Sequence, residues 1–200
     1  MGYGIEPGIF DTAVGLNALG INTNQSCEGH LDRARVTPWV DVESPNRPEQ
    51  FKDENKISKQ IYQEVADELR LPAEEVERSS TERGKKGWLK VQKRLAKIFK
   101  KQPETPEYMQ WNEENKKNYQ RVNQLLEEFY RGRKISVNER IRLSRGWKNG
   151  FGIYNGQNDY MTAEQKRTER QKQNLAKRLE KYRKEFKEFS EFLKNKYLSE

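Results

Sequence analysis

The chain has 200 residues, 32% of them apolar and 35% charged, with a formal net charge of +8. This composition argues against a membrane-spanning bundle or a large dry core, yet 8 Phe, 4 Trp and 9 Tyr are too many for a wholly disordered chain. The single cysteine excludes an intrachain disulfide and fits a reducing compartment. No basic start followed by an apolar run marks a secretory signal, and no stretch nears the roughly 18 apolar residues of a span, so a soluble cytoplasmic protein without a membrane partner is expected.

In chain order, residues 7–19 read as a first helix, with Pro7 where helices begin, Ile9, Ala13 and Leu16 on one stripe and Gly20 as the stop. Residues 21–26 and 36–42 read as strands, Pro38 placing the second at an edge or a start. Pro45 and Pro48 then break the chain. A helix over 49–71 carries Phe51, Ile57, Ile61, Val65 and Leu69 on one face and stops at Pro72. A polar stretch over 74–87 follows, and its 79–87 segment, with Gly84 and Gly87, reads as an exposed, mobile loop. Residues 88–101 and 107–131 form two further helices, separated by Pro103 and Pro106. Residues 140–145 and 151–154 form a hairpin around Lys148-Asn149-Gly150. The capping box Thr162-Ala163-Glu164-Gln165 opens a last helix reaching 197. Its Leu175, Leu179, Tyr182, Phe186, Phe189 and Leu193 make a coiled-coil-like seam, to be covered by another helix of the chain or by a second copy in a homo-oligomer.

The pattern predicts an α+β fold: a small, mostly antiparallel sheet with long amphipathic helices, including an inserted helical arm and a long C-terminal helix. The corresponding domains are 1–46 with 132–160 as a small α/β core, 47–131 as the arm, and 161–200 as a helix packing on the arm.

Chemistry concentrates in one loop. The only cysteine, Cys27, and the only histidine, His30, stand three residues apart, with Glu28 and Asp32 beside them. A thiolate near an imidazole can act as a nucleophile, with the carboxylates as acid or base, so Cys27, Glu28, His30 and Asp32 are the candidate catalytic residues. A soft metal would need Glu28, Asp32 or Asp41 to complete its ligands, and no metal site is expected. In the structural alternative, Cys27 is simply buried at a strand end and His30 ties the loop by hydrogen bonds.

Charge points elsewhere. Residues 1–76 hold 7 Lys/Arg against 14 Asp/Glu, and residues 77–200 hold 32 against 17. Lys86, Lys90, Lys93 and Lys97 recur at spacings of four, three and four, one face of a helix able to neutralise phosphates. Arg140, Arg142, Arg145 and Trp147 interleave charge with aromatic surface, as single-strand RNA binders do. A solvated helix face and an ordinary strand pair are the structural alternatives.

The words Ser26-Cys27-Glu28-Gly29-His30 and Pro38-Trp39-Val40-Asp41 resemble those of an uncharacterised bacterial protein family, a resemblance that implies no activity. More locally, Thr23, Ser26, Cys27 and Gly29 are similar to the strand-turn of the wybutosine-synthesis tRNA methyltransferase family. Glu28 stands where that family has Ser, and His30 where it has Arg. The resemblance implies RNA and S-adenosylmethionine as associates, but the residues themselves specify no cofactor. Three functions are therefore expected, in this order: an RNA or polyanion binder using the basic helix and hairpin, an enzyme at the Cys27–His30 loop that acts on nucleic acid, and a helical assembly protein.

Overall fold

The computed structural model describes residues 4–31, 35–145, 150–159 and 168–199. The chain divides into two compact units, Met1–Asn46 with Asn112–Glu200, and Arg47–Trp111. Residues 112–131, which the sequence placed with the arm, thus fall in the first unit.

The first unit begins with helix α1 (Pro7–Ala18). Pro7 sits at the first helical position, where its missing N–H is no loss. The helix closes as Gly20 N and Ile21 N donate to Asn17 O and Leu16 O, both at 2.9 Å. Four strands follow, β1 (Thr23–Cys27), β2 (Trp39–Val42), β3 (Arg142–Arg145) and β4 (Phe151–Tyr154), in the order β1-β2-β4-β3 with every pairing antiparallel. The expected sheet is therefore present. The expected hairpin turn at Lys148 and Asn149 and the capping box at 162–165 lie outside the described residues.

Register sorts the two faces of this sheet. Val40 pairs with Ile153 and Val42 with Phe151, and all four are buried in the main core. Residues directly opposite share a face. The other face therefore carries Cys27, Trp39, Tyr154 and Arg142 in one row across the four strands.

Helices cover the core face. Ile9, Leu16 and Leu19 come from α1 or its cap. Val122, Leu125, Leu126 and Phe129 come from α5 (Pro106–Tyr130), and Phe186, Phe189 and Leu193 from α6 (Glu169–Ser199). All six residues of the α6 seam are buried within this chain. Phe186, Phe189 and Leu193 join the core, and this stretch meets α1: Thr12 Oγ1 donates to Phe186 O at 3.3 Å, and a Cβ on Gly15 would lie 3.0 Å from Leu193 Cβ. The seam is consumed inside the protein, which removes the observation that suggested assembly of copies through this helix.

Polar ties fix α6 further. The buried Asp159 carboxylate accepts from Arg178 Nε and Nη2 at 2.8 and 2.9 Å and from the Tyr182 hydroxyl at 2.7 Å. Glu185 is buried beside Arg133, 3.0 Å away, and Arg133 also pairs with Glu188. Burial raises the Glu185 carboxyl above its ordinary value near 4.5, against the opposing pull of Tyr130 and Arg133. The folded state then holds this proton more tightly than the unfolded chain does. The Glu185 contribution to stability is full below the ordinary carboxylate value and is lost as pH rises through the higher folded one. Glu185→Gln, which leaves Arg133 its Glu188 partner, should flatten that decline. Urea melts of both proteins from pH 4 to 8 check this, and parallel pH profiles would count against it.

The second unit holds α2 (Glu54–Leu69), α3 (Ala73–Arg78), α4 (Glu82–Phe99) and the start of α5. Its core is Ile61, Val65, Ala66, Val76 and Val91, and a stack of Phe51 on Phe99 lies at 4.8 Å. The exposed loop expected over 79–87 instead holds the opening of α4 from Glu82, and the polar stretch before it forms α3. Thr81 caps α4, its hydroxyl accepting from Gly84 N at 2.9 Å. Gly84 and Gly87 are buried contact points rather than breakers. A Cβ on Gly84 would lie 2.5 Å from Glu75 O, and one on Gly87 3.0 Å from Leu69.

Candidate functional site

The Cys27–His30 loop is built around an exchange of carboxylates with α1. Glu6 is the N-cap residue of α1 but makes no side-chain cap bond to the helix. Its carboxylate instead accepts from Glu28 N at 2.9 Å and from His30 Nε2 at 2.7 Å. The Glu28 carboxylate does the capping in return, accepting from Gly8 N at 2.8 Å. Gly8 permits the approach, because a Cβ there would lie 2.6 Å from Glu28 Oε2. From α6, Arg183 Nη2 donates to Gly29 O at 2.8 Å and its Nε to Glu28 O at 3.2 Å. Two distant segments, the start of α1 and α6, thus fix one short turn.

Cys27 ends β1, buried, and its sulfur accepts from Gly29 N at 3.4 Å. Burial raises the thiol, and the charges of Glu6 and Glu28 add to this against the Gly29 amide. The thiol is thus pushed away from the activated thiolate that His30 was expected to produce. Burial alone would also raise Glu6, but the Glu28 amide and His30 outweigh it and hold that carboxylate below its ordinary range. Glu6, Cys27 and His30 place their ligand-type atoms within 4.8 Å of one another. Beside the loop, α1 and α6 line a cleft of about 430 Å³ that includes Pro7, Gly8, Asp11, Arg183, Lys184 and Lys187.

The structure brings Cys27, Glu28 and His30 together, with Glu28 turned to α1 and Arg183, while Asp32 lies outside the described residues. Sequence spacing missed Glu6 and Arg183. Nothing local distinguished either, since Glu6 read as the residue before a helix and Arg183 as one of many cations on α6.

The basic residues form two separate groups. In the second unit, Lys86, Lys90, Lys93 and Lys97 are all exposed on α4. Lys90 pairs with Glu68, and Arg94 with Glu64 and Glu68 of α2. Lys86, Lys93 and Lys97 make no ion pair among the described residues. In the first unit, Arg140 stacks over Tyr130 at 4.9 Å and is engaged inside the fold. Arg142 is half-buried and donates to Gln157 at 2.9 Å. Arg145 pairs by backbone register with Phe151, but its side chain, like Trp147, lies outside the described residues.

Comparison with family models, curated proteins and solved structures finds no match. Among the described residues, no helix is long and apolar enough to cross a membrane.

Proposed function

We propose that the protein is a cytoplasmic polyanion binder, RNA being the favoured ligand, and that the lysine row of α4 is its main contact surface. One observation carries this reading: Lys86, Lys93 and Lys97 stand exposed along one helix face with no carboxylate partner among the described residues. Nine Lys/Arg and one Glu occupy residues 82–101. The acidic side chains of α2 neutralise only the Lys90 and Arg94 flank. RNA is preferred to duplex DNA because the first unit joins charge to aromatic surface in one row of its sheet, Trp39 and Tyr154 beside Arg142, with Arg35 stacked over Trp39 at 4.6 Å.

Four lysines on single-stranded RNA should give a slope of log K against log salt of about −3. The triple variant Lys86→Gln, Lys93→Gln, Lys97→Gln should reduce that slope by about 2 and weaken binding at least about tenfold at low salt. Lys90→Gln should matter less than any of the three, because Lys90 already pairs with Glu68. Fluorescence anisotropy with a labelled oligonucleotide reads all of these. Absence of binding at low salt, or a triple variant that binds like the parent, would remove the proposal.

A second reading, an enzyme at the Cys27–His30 loop acting on a nucleic acid, draws support from the neighbouring cleft, where Arg183, Lys184 and Lys187 outnumber Asp11 and Glu180.

A further inference from the structure

We propose that Glu6, Cys27 and His30 form a binding site for a single divalent transition-metal ion of the zinc class, with three protein ligands and a fourth position left for water. The inference does not depend on RNA binding.

The donor set comes first. A cysteine sulfur, a histidine nitrogen and a carboxylate oxygen are the three ligand types of protein zinc sites. Here they converge from three segments, the approach to α1, the end of β1 and the loop after it, and their ligand atoms all lie within 4.8 Å of one another. Ligands sharing one tetrahedral zinc lie about 3.3–3.6 Å apart, given bond lengths of about 2.0–2.3 Å. His30 Nε2 and Glu6 Oε1 are 2.7 Å apart, at hydrogen-bond distance. Replacing the shared proton by an ion requires movements of only about 1 Å to reach that spacing.

The surroundings match those of a ligand set held in place. Metal-ligating groups are commonly oriented by a further hydrogen bond. Glu28 N fixes Glu6 Oε2 at 2.9 Å, and Glu6 Oε1 faces His30 Nε2 at 2.7 Å. Gly29 N holds the Cys27 sulfur at 3.4 Å, and the backbone amide of His30 donates to Arg35 O at 3.1 Å, which fixes the loop carrying the imidazole. The Glu28 carboxylate is turned away, bonded to Gly8 N and 3.6 Å from Arg183, so it is not a fourth ligand. The His30 and Glu6 side chains are 13% and 30% exposed, so solvent reaches the cluster. Three protein ligands with one open position is the arrangement of catalytic zinc rather than structural zinc.

Charge favours occupancy as well. The buried Cys27 thiol lies in the same cluster as the Glu6 carboxylate, within 4.8 Å. A divalent cation would sit among these groups, the thiol proton leaving to solvent as the Cys27 sulfur binds and His30 binding as neutral imidazole.

The test uses the full chain, stripped with a chelator and titrated with Co²⁺ and then with Zn²⁺. One equivalent of Co²⁺ should give a thiolate-to-cobalt charge-transfer band and strong visible bands of tetrahedral cobalt, and Zn²⁺ should displace both. Cys27→Ser should abolish the charge-transfer band. Glu6→Gln should weaken Co²⁺ binding by about 10- to 100-fold while keeping the band at saturating metal. The Glu6 variant and the wild-type spectrum decide the matter even if the Cys27 variant fails to fold. No charge-transfer band at one equivalent, or an affinity unchanged by Glu6→Gln, would overturn the site.

Discussion

Gly29→Ala should destabilise the first unit by roughly 2–6 kcal/mol, whereas Gly132→Ala should cost only about 1–2 kcal/mol. The two glycines have nearly the same backbone, φ +82° and φ +76°. Both exact the penalty of a left-handed conformation on a residue with a Cβ. They differ in what that Cβ would meet. At Gly29 it would lie 2.5 Å from Val36 O and 2.9 Å from Pro38 N, both backbone atoms that cannot swing aside. At Gly132 nothing lies within 4 Å. The Gly29 substitution must therefore shift the segment leading into β2, or reopen the turn that carries Cys27 and His30. Chemical denaturation of the two variants gives the comparison directly. Equal losses would mean that the approach of the loop to residues 36–38 is not as tight as described.

Gly29 also marks what was legible in the sequence. A glycine between Cys27 and His30 is the residue a turn with positive φ favours, and that turn is there. What local spacing could not supply is the set of partners that closes around it. Glu28 N reaches Glu6 across 22 positions, and Arg183 reaches Gly29 across 154. Such contacts are products of tertiary packing, so a metal-type cluster containing Glu6 looked, residue by residue, like a cysteine and a histidine lacking a third partner.

The element pattern was more readable because hydrophobic period is a local property. The stripes of α1, α2 and α6 and the alternation of the strands gave the α+β fold and its antiparallel sheet. The failure at residues 79–87 has a specific cause. Glycine in a polar run signals a breaker, but it also permits close helix contact, and at Gly84 and Gly87 the contact decides. Arg140 shows the same limit for charge. Beside aromatics in sequence it resembled a nucleic-acid contact, but its guanidinium stacks on Tyr130 within the protein.

Phe189→Ala should cost about 3–5 kcal/mol and lower the melting temperature by about 10 °C. Phe189 is buried on the α6 seam, its ring centroid 5.2 Å from that of Phe129 and 6.1 Å from that of Phe192. Its removal leaves a void lined by residues of α5 and α6, where neighbouring rings cannot collapse without losing their own contacts. Tyr197, farther along the same helix and 51% exposed, provides the control: Tyr197→Ala should change stability by less than about 0.5 kcal/mol. The pair also decides what the seam is for. A seam satisfied within one chain makes the melting temperature independent of protein concentration and leaves the Phe189 variant no more or less associated than its parent. A seam completed by a second copy would instead make melting depend on concentration and would show the Phe189 loss as weaker association. Melts over a hundredfold range of concentration separate the two. The burial of all six seam residues against their own chain favours the first.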